Sequence, residues 1–108
     1  MKKILISLFC IVSSFTYAGT QAGTVTNIIV RQSDGLHYFY VSGTAVDRPA
    51  CAAKQNYWMI KDEHSVAGKS QLSMLLTAYA SGKTVKILGS GTCSRWGDGE
   101  DLNEIHLN

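Results

Sequence analysis

The segment "GSGTCSRWGDGED" (89–101) gathers residue types able to do chemistry: four glycines, Cys93, Trp96, and the acids Asp98, Glu100 and Asp101. A phosphate cradle, a calcium loop and a cysteine-pinned turn would each have such a composition. The dinucleotide fingerprint needs a third glycine and a helix whose N-terminus meets the pyrophosphate, and neither follows here. An EF-hand loop needs oxygen ligands at alternate positions, glycine at the sixth and glutamate at the twelfth. Asp98, Glu100, Asp101 and Glu104 are spaced irregularly, which leaves a weak loop-built calcium site or, more simply, a solvated acidic turn. The pinned turn fits best, because glycines let the chain bend sharply where Cys93 and Trp96 crowd it.

Elsewhere the chemical signals are isolated. "AGKS" (67–70) resembles the end of a nucleotide-binding P-loop, but Glu63 stands where that motif requires its first glycine. His37, His64 and His106 fall on separate segments, and no H-x-x-x-H or C-x-x-C spacing places two metal ligands on one face. No G-x-S-x-G elbow presents a serine nucleophile. A cysteine nucleophile would have to stay reduced. The expectation is a protein with no catalytic centre, no cofactor and no metal.

Compartment follows from the first residues. Lys2 and Lys3 precede the apolar run "ILISLFCIVSSF" (4–15), and Thr16 and Ala18 are small where a leader peptidase requires small residues. This pattern predicts a secretory signal over 1–18, cleavage after Ala18, and one domain over 19–108, secreted or periplasmic. The run is too short for a membrane span. The whole chain has ten Lys and Arg against eight Asp and Glu. Loss of Lys2 and Lys3 with the leader leaves eight of each, so charge makes no case for nucleic acid or an anionic membrane. Cys10 leaves as well. Cys51 and Cys93 remain, and two cysteines in an exported domain are expected to pair, the alternative being two buried free thiols.

The elements that must hold these residues can be read from periodicity. "GTVTNIIVR" (23–31) is β-branched, "SDG" (33–35) is a hairpin turn, and "LHYFYVSGTA" (36–45) is the returning strand. A loop carries Cys51 to a short strand "YWMIKD" (57–62). Leu72, Leu75, Leu76 and Tyr79 then recur at helical spacing, with Ser70 as the expected N-cap and Gly82 as the C-cap. Strands at 84–91 and 102–108 complete the order β-β-β-α-β-β. This predicts a mainly β fold with one helix, a small antiparallel barrel of the OB type. A half-open sheet covered by the helix is the alternative.

Aromatic residues are numerous. Tyr38, Tyr40, Tyr57, Trp58 and Tyr79 are mostly expected in the core. Trp96 sits among loop residues, either folded back over the core or exposed as an anchor for a sugar ring or protein partner.

The stretches "YFYVSGT", "ACAAKQNYW" and "LLTAYASGKTVKIL" resemble the B subunits of pertussis-like and subtilase-type bacterial toxins, over about residues 23–93. The resemblance implies an OB-type barrel, a homopentameric ring, binding of cell-surface glycans, often sialylated, and a catalytic A subunit as partner. Tyr40 stands where that family has a cysteine on the second strand, which leaves Cys51 to Cys93. The family's sugar-contacting serine and tyrosine align at Ala22 and Gly89, so neither role transfers. The expected ligand residues are instead Trp96, Asp98 and Asp101. The functional expectation is an exported binding module for glycans, or an inhibitor or accessory factor that binds a protein through the same scaffold.

Overall fold

The computed structural model describes residues 17–108, so the expected leader lies, up to residue 16, outside the described residues. The elements are β1 (Thr20–Val30), β2 (His37–Val41), a 3₁₀ turn (Ala50–Ala52), β3 (Tyr57–Met59), α1 (Val66–Ser81), β4 (Thr84–Gly89) and β5 (Glu100–Leu107). The strands close into a barrel in the order β1-β2-β3-β5-β4. The fold is the expected one: mainly β, one helix, a small OB-type barrel.

Closure depends on β1. Its second half pairs with β2, from Val25 opposite Val41 to Val30 opposite His37, and its first half pairs with β4, from Thr20 opposite Leu88 to Thr24 opposite Thr84. The register with β2 shifts between Val25 and Asn27, the kind of bulge that bends a strand around a barrel. This double duty explains why β1 begins at Thr20 rather than at Gly23. The barrel is not wholly antiparallel. β3 and β5 run parallel through Trp58 opposite Glu100 and Met59 opposite Asp101, because α1 and β4 intervene and β5 re-enters beside β3 in the same direction.

Alternation fills the interior. Phe39 and Val41 of β2, Trp58 of β3, Val85 and Ile87 of β4 and Leu102 of β5 point inward, and α1 adds Leu75 and Ala78. The Trp58 indole N–H donates to the Gln21 side-chain oxygen at 2.8 Å, and the Gln21 amide donates to the carbonyl of Val41 at 2.9 Å, so the buried polar atoms of these two side chains are paired.

The helix differs from expectation at its start. Ser65, not Ser70, is the N-cap: its hydroxyl accepts from Gly68 N at 2.9 Å and donates to the Asp62 carbonyl at 2.8 Å. Ser70 lies inside the first turns. Gly82 caps the other end at φ +66°, as expected, where a side chain would strain the backbone. The buried stripe is Gly68, Leu75 and Ala78, whereas Leu76 and Tyr79 are exposed.

Cys51 and Cys93 form a disulfide with their Cα atoms 6.3 Å apart, tying the 3₁₀ turn to the loop after β4 across 42 positions of chain. It is the kind of bond that persists in an oxidising compartment.

Candidate functional site

The candidate site forms on the outer faces of β2 and β3. Period-two alternation that sends Phe39 and Trp58 inward sends Tyr38, Tyr40 and Tyr57 outward, half-buried rather than in the core as expected. Tyr40 lies opposite Tyr57 across the strand pair. The three rings form an edge-to-face cluster, Tyr38 to Tyr57 at 5.6 Å, Tyr40 to Tyr57 at 5.9 Å and Tyr38 to Tyr40 at 6.3 Å between centroids. Such pairs fix ring orientation and leave faces available to a ligand.

Trp96 and Asp98 lie at this cluster. Together with Arg31 they line a cleft of about 330 Å³ with the three tyrosines. Trp96 is 38% exposed, and the Arg31 guanidinium lies 4.6 Å from its ring centroid. Arg31 is held by both oxygens of Asp34 in the β1–β2 turn, and this pairing draws the pKa of the Asp34 carboxyl down to about 2. Asp98 accepts from the Tyr57 hydroxyl and from the Gln55 side-chain amide at 3.0 Å. Partial burial, then the bond to Asp98, raise the pKa of the Tyr57 phenol to about 12.

Asp101 does not join them. It is fully buried on β5, and its carboxylate accepts from Thr92 Oγ1 at 2.8 Å, Ser94 N at 2.9 Å, the Ser94 hydroxyl and Arg95 N at 3.1 Å. Burial alone would raise its pKa, but these hydrogen bonds outweigh it and hold the carboxyl below its ordinary range. A ligand cannot reach it. The expected role in binding is corrected to that of the clamp under the loop carrying Trp96. Arg95, next to Trp96, is anchored in turn on Glu63 through Nε, at 3.0 and 3.1 Å.

Of the expected ligand residues, Trp96 and Asp98 line this cleft, and Tyr38, Tyr40, Tyr57 and Arg31, which the sequence reading did not name as ligand residues, line it with them. The missed signal was the alternation in "HYFYV" and "YWM", which on a barrel places the tyrosines on the face opposite Phe39 and Trp58. His37, His64 and His106 lie apart from the cleft lining, and among the described residues no three His, Cys, Asp or Glu side chains converge as a metal site.

What the arrangement offers is apolar ring surface bordered by a fixed carboxylate, phenol hydroxyls and a cation. That combination suits a ligand with one flat apolar face and several hydroxyls around its edge. A second, larger concavity of about 450 Å³ lies between β1 and α1, lined by Ile28, Leu72, Leu76 and Tyr79 among others. It is mostly apolar and lacks a comparable set of fixed polar groups. No protein-family model, no curated protein and no solved structure matches this chain.

Proposed function

We propose that this chain is an exported, non-catalytic binding module that recognises cell-surface glycans through the cleft of Trp96, Tyr38, Tyr40, Tyr57 and Asp98. One observation carries the reading: Trp96 is presented, partly exposed, on a loop clamped from beneath, facing a tyrosine cluster with a carboxylate at its edge. A pyranose ring stacks its C–H face on such aromatics, and its hydroxyls donate to Asp98 or exchange hydrogen bonds with Tyr57. The resemblance to toxin B subunits supports a homopentameric ring that delivers a catalytic A subunit, with repeated shallow sites compensating for weak single ones.

The test is a glycan array followed by titration of the hits against the oxidised protein. Binding that Trp96→Ala removes, with the fold retained, upholds the reading. Binding indifferent to Trp96, or no glycan binding alongside capture of a protein partner, overturns it. Native mass measures the ring directly.

A second reading, a protein-interaction module such as an inhibitor or accessory factor, is favoured by the apolar groove between β1 and α1, where Leu76 and Tyr79 are 52% and 56% exposed. Substituting Leu76 with a charged residue would then weaken partner binding and leave the aromatic cleft intact.

A further inference from the structure

Glu100, the first residue of β5, is fully buried with an incomplete set of partners. Its Oε2 accepts from Gly19 N at 2.9 Å and Gly91 N at 3.1 Å. Its Oε1 has no hydrogen-bond partner. The facing cation is Arg48, whose Nε lies 3.8 Å away and is itself unpartnered. Arg48 cannot readily turn further toward the acid. Its other nitrogens donate to the carbonyls of Ala52, Gln55 and Tyr57, and its guanidinium lies over the Trp58 ring at 4.2 Å. Glu100 is thus buried against one guanidinium at ion-pair distance, with no hydrogen bond to its Oε1. Buried charge in that state is costly unless another cation completes it.

The slot around Glu100 is shaped by glycines. A Cβ on Gly89 would overlap Oε2, and one on Gly19 would lie 2.5 Å from Oε1. Both carboxylate oxygens therefore border Gly19, one at its nitrogen and the other at its Cα. Gly19 is buried, whereas Tyr17 and Ala18 are exposed. In the uncut chain Gly19 offers one amide hydrogen, which is committed to Oε2.

We propose that Ala18–Gly19 is the processing site of this chain, and that the α-ammonium released at Gly19 docks on Glu100 and completes the buried charge cluster. This rests on the exported reading above. A leader endopeptidase adds water across the Ala18–Gly19 peptide bond. The departing segment keeps the new Ala18 carboxylate, and the Gly19 nitrogen takes up the proton as an ammonium with three donors and a full charge. One hydrogen keeps the bond to Oε2, and another can serve Oε1. Because Gly89 N donates to Gly19 O at 2.8 Å, the new terminus is tied to β4 as well as to β5. Maturation would then tighten the seam from which the Trp96 loop departs.

The experiment exports the full chain and a variant with one alanine inserted between Ala18 and Gly19, each with Glu100 and with Glu100→Gln, and reads intact mass and Tm on the oxidised products. The expected mass begins at Gly19. The extension, which moves the ammonium one residue outward, is expected to lower Tm by roughly 5 °C with Glu100 and to change it little in the Glu100→Gln background. Equal Tm for the extended and unextended proteins, or an equal loss in both backgrounds, overturns the docking. A chain that begins elsewhere overturns the processing site, and an uncut chain overturns the exported reading itself, independently of the Tm comparison. If Glu100→Gln does not fold, the acylation rate of the α-amine decides: the paired terminus should react about tenfold more slowly than the extended one. Equal rates overturn the pairing.

Discussion

The loop between β4 and β5 has two ends built on opposite plans. At its base, residues 90–95 are bound by the Cys51–Cys93 disulfide, by the four donors converging on Asp101, and by the Arg95–Glu63 pair. At its tip, Trp96 to Asp98 have an exposed indole, a cation lying on its ring and a carboxylate turned to the cleft. The base saturates buried polar groups and the tip leaves polar and aromatic groups for something else. The difference explains how a short glycine-bearing segment can hold an exposed side chain steady: rigidity comes from the base, while the tip leaves its surface open.

Substitutions should separate the two ends. The largest effect belongs to the base. Replacing both Cys51 and Cys93 with alanine is expected to cost about 4 kcal/mol of stability on the loop-closure model for this separation, read by denaturant unfolding. Asp101→Asn should follow at about 2–3 kcal/mol, because an amide cannot accept all the donors that a carboxylate does. The sign of its pH dependence is fixed by the lowered pKa of Asp101. Its contribution is fully present above the ordinary carboxylate value of 3.8 and fades as pH falls through the lower folded value, so the two proteins should converge in acid. If Asp101→Asn unfolds no more easily than wild type, the base is not the source of rigidity.

At the tip the order of readouts reverses. Trp96→Ala should cost less than about 1 kcal/mol of stability, since the residue is partly exposed, while glycan affinity, on the proposed function, falls by about tenfold or more. A large stability loss with affinity unchanged would make Trp96 part of the base. The smallest effect is expected at Tyr57. Its phenol stays protonated to about 12 in the folded protein, so the stability tied to that proton is intact below the ordinary tyrosine value of 10.0 and declines between the two. Tyr57→Phe should lack this alkaline decline, as seen by thermal melts across that range.

The sequence exposed much of this architecture and hid particular parts of it. Strand order, the helix and its Gly82 cap, and the Cys51–Cys93 pair were legible because each rests on local pattern or on cysteine count. The N-cap was misplaced because Ser65 caps by reaching back to Asp62, a contact set by how the loop after β3 folds rather than by helical period. The parallel β3–β5 pair could not be read locally, since it depends on where β4 crosses. Asp98 and Asp101 look alike in sequence, and only the register of β5 decides that one opens to the cleft and the other is sealed beneath it.

The closure of the barrel through β1 has a consequence for how this molecule can meet others. A strand that divides its hydrogen bonds between β2 and β4 leaves, among the described residues, no strand without a neighbour. Another polypeptide therefore meets only short stretches of free main-chain donors and acceptors, such as β5 beyond Asp101, which pairs with β4 alone. Recognition by strand addition is thereby restricted to such short stretches, as is the edge-to-edge stacking that leads small β proteins toward fibrils. Whatever assembles on this barrel, a sugar chain, another copy or a different protein, meets side chains over most of its surface.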